Sequence, residues 1–548
     1  MTTRVSPIGD LVDYQATIRP DATALVMPEE SLTYAELSRR SDDFAASLMG
    51  LGVGPGDHVG ILMPNNVDYV LALLGSAKAG AIAVPVNGRF KLAEAGYVLK
   101  HAELKVLLTG GDGKGADFPE LVHQLQEDGR LDGKIASIVD FTGSAGFLGR
   151  SAFEAAGATV PDEEVRLAKA RVKVRDVAIL MYTSGTTAHP KGCLLTHEAL
   201  TRQGENVARL RFGLQPEEGH WNPLPLFHCG GLVPMLGCYA VGAKYCHAGH
   251  FEPGAAIETI QREGCTVLYP AFEAIWLPIL EHPDFTPSNF RHVRVILSIA
   301  TPERMAQYEA ILPWARQITS YGSTEGATNL TVSMPDDSPE VRHNTLGKPI
   351  EGLDVRICDP ATGVILSPGE MGELCFRGYS TFEGYFNDPV GTAAAFDEDG
   401  YFHTGDRALI REDGNLVFGG RLKDMFKVGG ENVAAIEVED FLLRHKAVRL
   451  AQVVGVSDAK YGEVGAAFIE LADNAALAAQ EVIEFCIDQI ATYKVPRYVR
   501  FVTEWPMSGT KIKKFELREI LQAELHAAGI HTAPPIRSRE QQPPGSST

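Results

Sequence analysis

The chain has no long apolar run, no paired cysteines and no excess of positive charge, and each absence narrows what it can be. No stretch approaches the ~20 apolar residues of a membrane span, and the opening MTTRVSPIGD carries no apolar segment of a secretory leader. The eight cysteines are scattered without a CxxC pair, a usage that suits a reducing compartment, so a cytoplasmic protein is expected. Against 50 basic residues stand 70 acidic ones, a formal charge of −20, which argues against nucleic acid or an anionic membrane as partner. A phosphate-bearing ligand stays open, because a few local donors outweigh a distant field. There is no GxSxG elbow and no GxGxxG after a strand, so serine-hydrolase and dinucleotide-oxidoreductase readings lack support.

At 548 residues the chain is too long for one hydrophobic core, and several domains are expected. From about Leu32 to Thr301, short apolar runs alternate with helix-length amphipathic segments. Thr33 and Glu36 have capping-box spacing, and Leu37, Phe44 and Leu48 then mark one helical face. Strand-like runs recur at 59–63, 81–86, 105–108, 177–182, 266–269 and 293–299, which predicts α/β layers with mostly parallel sheets. Residues 352–418 are turn-rich, with short strands such as GELCFRG at 372–378. The reading is therefore an α/β N-terminal domain over 1–419 with a turn-rich β subdomain. A hinge at 420–424 leads to a small mobile α+β domain over 425–527, with a helix near 481–490. A Pro-, Ser- and Gln-rich tail over 528–548 is expected to be disordered.

The most informative segment runs from Tyr182 to Gly192, YTSGTTAHPKG. A loop of glycine and small hydroxyl residues turns its backbone N–H groups inward as an anion-binding nest. Ser184, Thr186 and Thr187 add hydroxyl donors, and Lys191 adds a point charge for phosphate oxygens. It is not a Walker A loop, because Pro190 precedes the lysine and no Ser or Thr follows it. Alone, the segment also reads as a Thr/Ser-rich surface turn.

Other segments follow it in order: PLFH at 225–228, YGSTE at 321–325, YFHTGD at 401–406 and GRLKD at 420–424. Together with the loop they resemble the adenylate-forming superfamily, which includes acyl-CoA synthetases, aryl-CoA ligases, luciferases and peptide-synthetase adenylation domains. The resemblance spans about Leu32 to Arg518 and is nearest to acyl-CoA synthetases. It implies a large N-terminal domain, a small mobile C-terminal domain, and ATP, Mg²⁺ and coenzyme A as cofactor and co-substrates. Thr183, Ser184, Gly185, Thr186, Thr187 and Lys191 then hold the β- and γ-phosphates. Tyr321 stacks on adenine, Gly322 gives close approach, Thr324 meets the α-phosphate and Glu325 binds Mg²⁺. Asp406 accepts the ribose hydroxyls with help from Arg421. Lys511 reaches the acyl carboxylate, Lys423 is the hinge residue, and Gly429 and Gly430 border the thiol tunnel.

Three departures stand out. Ala188 replaces a common glycine of the phosphate loop. Thr510 stands where glycine usually precedes the catalytic lysine, in a segment one residue short, which leaves Lys513 and Lys514 as substitutes for Lys511. Ser298-Ile299-Ala300-Thr301 replaces a Gly-Gly-Ala-type turn beside the acyl pocket.

By the same resemblance the pocket is lined by His228, Leu232, Met235, Phe272, Trp276, Ile299 and Asn329, a mainly apolar set suited to a fatty, alicyclic or aryl-substituted acid. Glu273 is expected to pair with an arginine rather than bind substrate. The histidines and cysteines between His228 and His250 have no spacing of a structural zinc site. The expected activity is an acid–thiol ligase. A carrier-protein loader, a luciferase-like oxygenase and a non-catalytic relative are the alternatives, and the sequence leaves a homodimer open.

Overall fold

The structure, a computed structural model, describes residues 5–111, 117–131, 135–183, 190–428, 431–487, 489–508 and 511–536, with only the backbone of Lys423, Glu431, Asn432, Ser508 and Lys511. Two seven-stranded sheets carry the N-terminal part. In the first, His58–Leu62 lies between Leu104–Thr109 and Ile82–Pro85, and Val177–Thr183 follows on the far side of Ile82–Pro85. All these strands run parallel; the edge strand Lys191–Thr196 alone is antiparallel. In the second, Cys265–Phe272, Gly219–Trp221 and Lys244–Cys246 are likewise parallel, with an antiparallel edge pair, Thr23–Val26 and Ser31–Thr33. The expected layered α/β architecture is therefore present.

Local chemistry sets the helices. Thr33 and Glu36 form the capping box of helix Tyr34–Gly50, whose face of Leu37, Phe44 and Leu48 is buried. The predicted helix near 481–490 is shorter, Ala479–Cys486. A three-stranded antiparallel sheet of Ser320–Ser323, Thr328–Val332 and Lys348–Pro349 stands apart from the two large sheets.

The chain divides into two compact units. One holds residues 1–355, 376–402 and 413–416; the other holds 356–375, 403–412 and everything from 417. The turn-rich strands Gly372–Gly378, Phe402–Ile410 and Leu416–Arg421 thus fall mostly in the second unit. That unit has its own core, including Phe426, Val438, Val454, Phe468 and Leu521, on a sheet built around the antiparallel pair Val448–Asp458 and Gly462–Leu471. The expected tail needs correction over its first part. Ala533 is buried there, its N–H donates to Asp458 at 2.6 Å, and the Pro534 carbonyl accepts from Arg497 at 2.8 Å.

One charged cluster ties four helices of the first unit together. Lys78, 1% exposed, places its Nζ 2.7 Å from both Asp13 and Asp42, and Lys169 reaches the same two carboxylates at 2.8 Å. Burial alone would raise the Asp13 carboxyl, but the two lysines hold it below its usual value. Removing one partner from a buried pair leaves a desolvated charge. Lys78→Met should therefore destabilise the protein by about 3 kcal/mol in guanidinium unfolding. Because the Asp13 value is depressed in the folded state, its share of stability is present at neutral pH. It should be lost as pH falls below about 4, and the variant should show a shallower acid limb.

Candidate active site

Strands Val177–Thr183 and Lys191–Thr196 form a hairpin with Tyr182 opposite Gly192 and Thr183 opposite Lys191. Ser184, Gly185, Thr186, Thr187 and Ala188 lie outside the described residues. The hairpin nevertheless fixes where Lys191 emerges. Its Nζ sits 3.3 Å from an Asp388 carboxylate oxygen and 4.5 Å from the centroid of the Tyr385 ring. The Tyr385 hydroxyl donates to Glu325 Oε1 at 3.2 Å. One aromatic side chain therefore joins the phosphate-loop lysine to the YGSTE glutamate. Burial, with the Glu325 charge, pushes the Tyr385 phenol well up, so it remains a donor. Neither Tyr385 nor Asp388 was singled out from the sequence. Their signal is the aromatic and Asx turn Tyr385-Phe386-Asn387-Asp388, which follows no motif of its own.

Tyr321 and Gly322 lie on strand Ser320–Ser323, paired with Thr328–Val332, and Thr324–Gly326 form a single 3₁₀ turn between them. A Cβ at Gly322 would collide with the Thr328 carbonyl, so only glycine fits. Ala327 and Thr328 close this turn in the left-handed region, at φ 53° and 87°, a strained conformation for a β-branched residue. Tyr321 is 7% exposed, and the Glu325 carbonyl accepts from the Phe382 N–H at 2.9 Å. Thr183, Lys191, Tyr321, Gly322, Thr324 and Glu325 all belong to the first unit.

In the second unit, Arg421 Nε lies 3.0 Å from Asp406 Oδ1, so the two expected ribose ligands are together. Gly405, at φ 68°, gives the Thr-Gly-Asp turn that presents Asp406, and Thr404 accepts the Asp406 N–H at 3.0 Å. Lys423 sits in a 3₁₀ turn, Leu422–Asp424. Gly429 and Gly430 lie outside the described residues. Lys511 occupies a two-residue strand opposite Ser508. Lys514 is committed to a 2.7 Å ion pair with the buried Glu439, and Lys513 pairs with Glu516 at 3.0 Å.

The expected acyl-pocket residues separate. Phe272 and Ile299 are partners at the carboxyl ends of adjacent parallel strands, and Ile299 is 41% exposed there. Such strand ends are where open α/β sheets bind ligands. Half-buried His228 caps helix Cys229–Val241, and the Cys229 thiol meets the Thr324 hydroxyl. Leu232 and Met235 instead line an interior cavity with Leu73, Leu74 and Ile179, and Trp276 is closed inside the second sheet's core. Asn329 is buried, donating to Ser320 at 2.8 Å and to Tyr269 at 3.0 Å. Glu273 pairs with Arg304 at 3.4 Å and accepts from Tyr308 at 3.1 Å, as expected for a structural carboxylate.

Glu325 also fits a hard cation. With Oε1 held by Tyr385, its other oxygen takes no hydrogen bond or ion pair among the described residues, the donor chemistry Mg²⁺ prefers.

Residues 12–386 match the family described as AMP-binding enzyme, and residues 437–511 match its C-terminal domain. The chain belongs to the AMP-binding enzyme family. The enzyme is 34% identical to the putative acyl-CoA synthetase YngI of Bacillus subtilis, over 94% of this chain and 97% of the relative. It is 32% identical to the mitochondrial medium-chain acyl-CoA ligase ACSF2 of Macaca fascicularis, over 95% and 88%. Its fold matches that of the anthranilate CoA ligase AuaEII in complex with anthranoyl-AMP, with a TM-score of 0.85, 26% identity and coverage of 96% and 99%.

The shared phenol makes a specific prediction. Tyr385→Phe keeps the ring beside Lys191 but removes the hydrogen bond to Glu325, and should raise the Mg²⁺ concentration for half-maximal activity by about tenfold. Tyr385→Leu should weaken ATP binding as well, since the lysine loses its aromatic platform. Pyrophosphate release titrated separately with Mg²⁺ and ATP reads both effects.

Proposed function

We propose that the enzyme activates a mainly apolar carboxylic acid with ATP as an acyl-adenylate, then transfers the acyl group to the thiol of coenzyme A, releasing AMP and pyrophosphate. The observation that carries this reading is the arrangement of Lys191, Tyr385 and Glu325. It places a cation and an oxygen ligand on one half-buried tyrosine, next to the strand that bears Tyr321 and the turn that bears Thr324.

The chemistry follows from charge. A carboxylate is a weak nucleophile of the same sign as the triphosphate it attacks. Lys191 and the backbone of the hairpin loop draw charge off the β- and γ-phosphates, and Thr324 donates to the α-phosphate. Mg²⁺, held at Glu325, would supply further charge neutralisation as pyrophosphate leaves. Tyr321 stacks on adenine, and Asp406, oriented by Arg421, accepts the ribose hydroxyls. Lys511 binds the acyl carboxylate in the first half-reaction, whereas Gly429 and Gly430 border the path of the thiol in the second. The substrate's apolar part meets Phe272 and Ile299, which favours fatty, alicyclic or aryl acids. The resemblance to a medium-chain ligase supports the same range.

A cytoplasmic location fits the eight cysteines, all free and all buried. Among the described residues no helix is long and apolar enough to cross a membrane.

The test is pyrophosphate and AMP release with ATP, Mg²⁺ and a panel of acids, with and without coenzyme A. Acid-dependent pyrophosphate release, with thioester only when coenzyme A is present, is the expected result. Adenylate with no thioester would move the assignment to a carrier-protein loader. Lys511→Ala should lower adenylation by about 10²- to 10³-fold while leaving thioester formation from supplied acyl-adenylate within a few-fold of wild type.

A further inference from the structure

Strand Phe402–Ile410 is irregular at the residues that matter most. Gly405, at φ 68°, lies inside it in the left-handed region, and a glycine so placed interrupts the regular run of a strand. The next residue is Asp406, buried and paired with Arg421. Whatever holds this turn therefore decides where the Asp406 carboxylate points.

One short stretch of the neighbouring strand, Gly372–Gly378, grips three consecutive residues of the turn. The Gly405 N–H donates to Glu373 Oε1 at 2.9 Å, so a side chain takes a hydrogen bond that a regular strand would give to backbone. The second oxygen of the same carboxylate, Oε2, lies 2.9 Å from His403 Nδ1. An ionised carboxylate only accepts, so that nitrogen carries the hydrogen. Between these two contacts, the Thr404 hydroxyl donates to the Leu374 carbonyl at 2.7 Å and accepts the Asp406 N–H at 3.0 Å.

Glu373 is 9% exposed, and a carboxylate is costly to bury unless its oxygens are bonded. Both of its oxygens are bonded to the turn. Every group in this chain of contacts, from Glu373 to Arg421, belongs to the second unit.

We infer that Glu373 is the positioning residue for ribose recognition: it holds the turn from His403 to Asp406 so that the Asp406 carboxylate meets the ribose hydroxyls. The preference of the enzyme for a ribonucleotide then depends on a residue that acts through the Gly405 backbone and His403, and not on the nucleotide itself. The inference rests on the ribose reading of Asp406 above and extends it to the residue behind it.

The test measures binding of ATP and of 2′,3′-dideoxy-ATP to the full chain by calorimetry, with Mg²⁺ present. Wild type should bind ATP about thirtyfold or more tighter, because hydroxyls on a carboxylate make charge-assisted hydrogen bonds. In Glu373→Ala that ratio should fall about tenfold, with the dideoxy affinity within about twofold of wild type. A residue that only supports the fold would weaken both nucleotides alike. Glu373→Gln keeps an acceptor for the Gly405 N–H and should retain most of the ratio. Thr404→Val keeps the shape of threonine but removes both of its bonds, and it should lower the ratio as well. It decides the matter if thermal melting shows that the alanine variant does not fold. A folded Glu373→Ala that keeps the wild-type ratio, or that loses both nucleotides alike, overturns the inference. So does a wild-type ratio within about twofold of one, which also removes Asp406 from ribose recognition. The ligase reading is judged separately, by acid-dependent pyrophosphate release.

Discussion

The pairing of Ser320–Ser323 with Thr328–Val332 is the contact on which the rest of the site depends. It brings Gly322 so close to the Thr328 carbonyl that no side chain fits between them. That closeness forces the intervening Thr324–Gly326 into a single tight turn, closed by two residues in the left-handed region. From that turn the Glu325 carboxylate accepts from the Tyr385 hydroxyl. On the other side of the same pairing, Asn329 is pressed into the interior, where it walls a small cavity with His220. One backbone approach thus positions the Thr324–Gly326 turn and Asn329 together. Its strain is of the kind that cores support at functional sites.

The second organising fact is electrostatic. A chain with a formal charge of −20 must hold a triphosphate and a carboxylate, and it does so by local arrangement rather than by net field. Lys191 is steadied by a ring face and by Asp388, whose carboxyl is held low first by the Gly391 N–H and then by the lysine. Asp406 is steadied by Arg421. In each case a charged group is held in place by a partner already in the fold, the preorganisation that makes such groups effective in a transition state.

Much of this was legible in the sequence where function is carried by contiguous residues. The Thr33 and Glu36 cap, the strand runs and the glycine of YGSTE each state a local requirement that the fold obeys. What was not legible arises through space. Tyr385 reaches both Lys191 and Glu325 from a turn with no signature. Leu232 was expected in the acyl pocket, yet neighbouring residues on a helix point about 100° apart, so Val233 faces the cavity with Asn329 while Leu232 faces another. The C-terminal segment read as disordered by composition, but an aspartate and an arginine capture its backbone at Ala533 and Pro534.

In the adenylating half-reaction a carboxylate oxygen of the acid attacks the α-phosphorus of ATP. The most direct measurement uses an acid labelled with ¹⁸O in its carboxylate, turned over with ATP and coenzyme A, with the products read by mass spectrometry. One ¹⁸O is expected in AMP and none in pyrophosphate, because the oxygen bridging acyl carbon and phosphorus leaves with AMP when the thiol attacks. Label in inorganic phosphate, or thioester formed with unlabelled AMP, would contradict it.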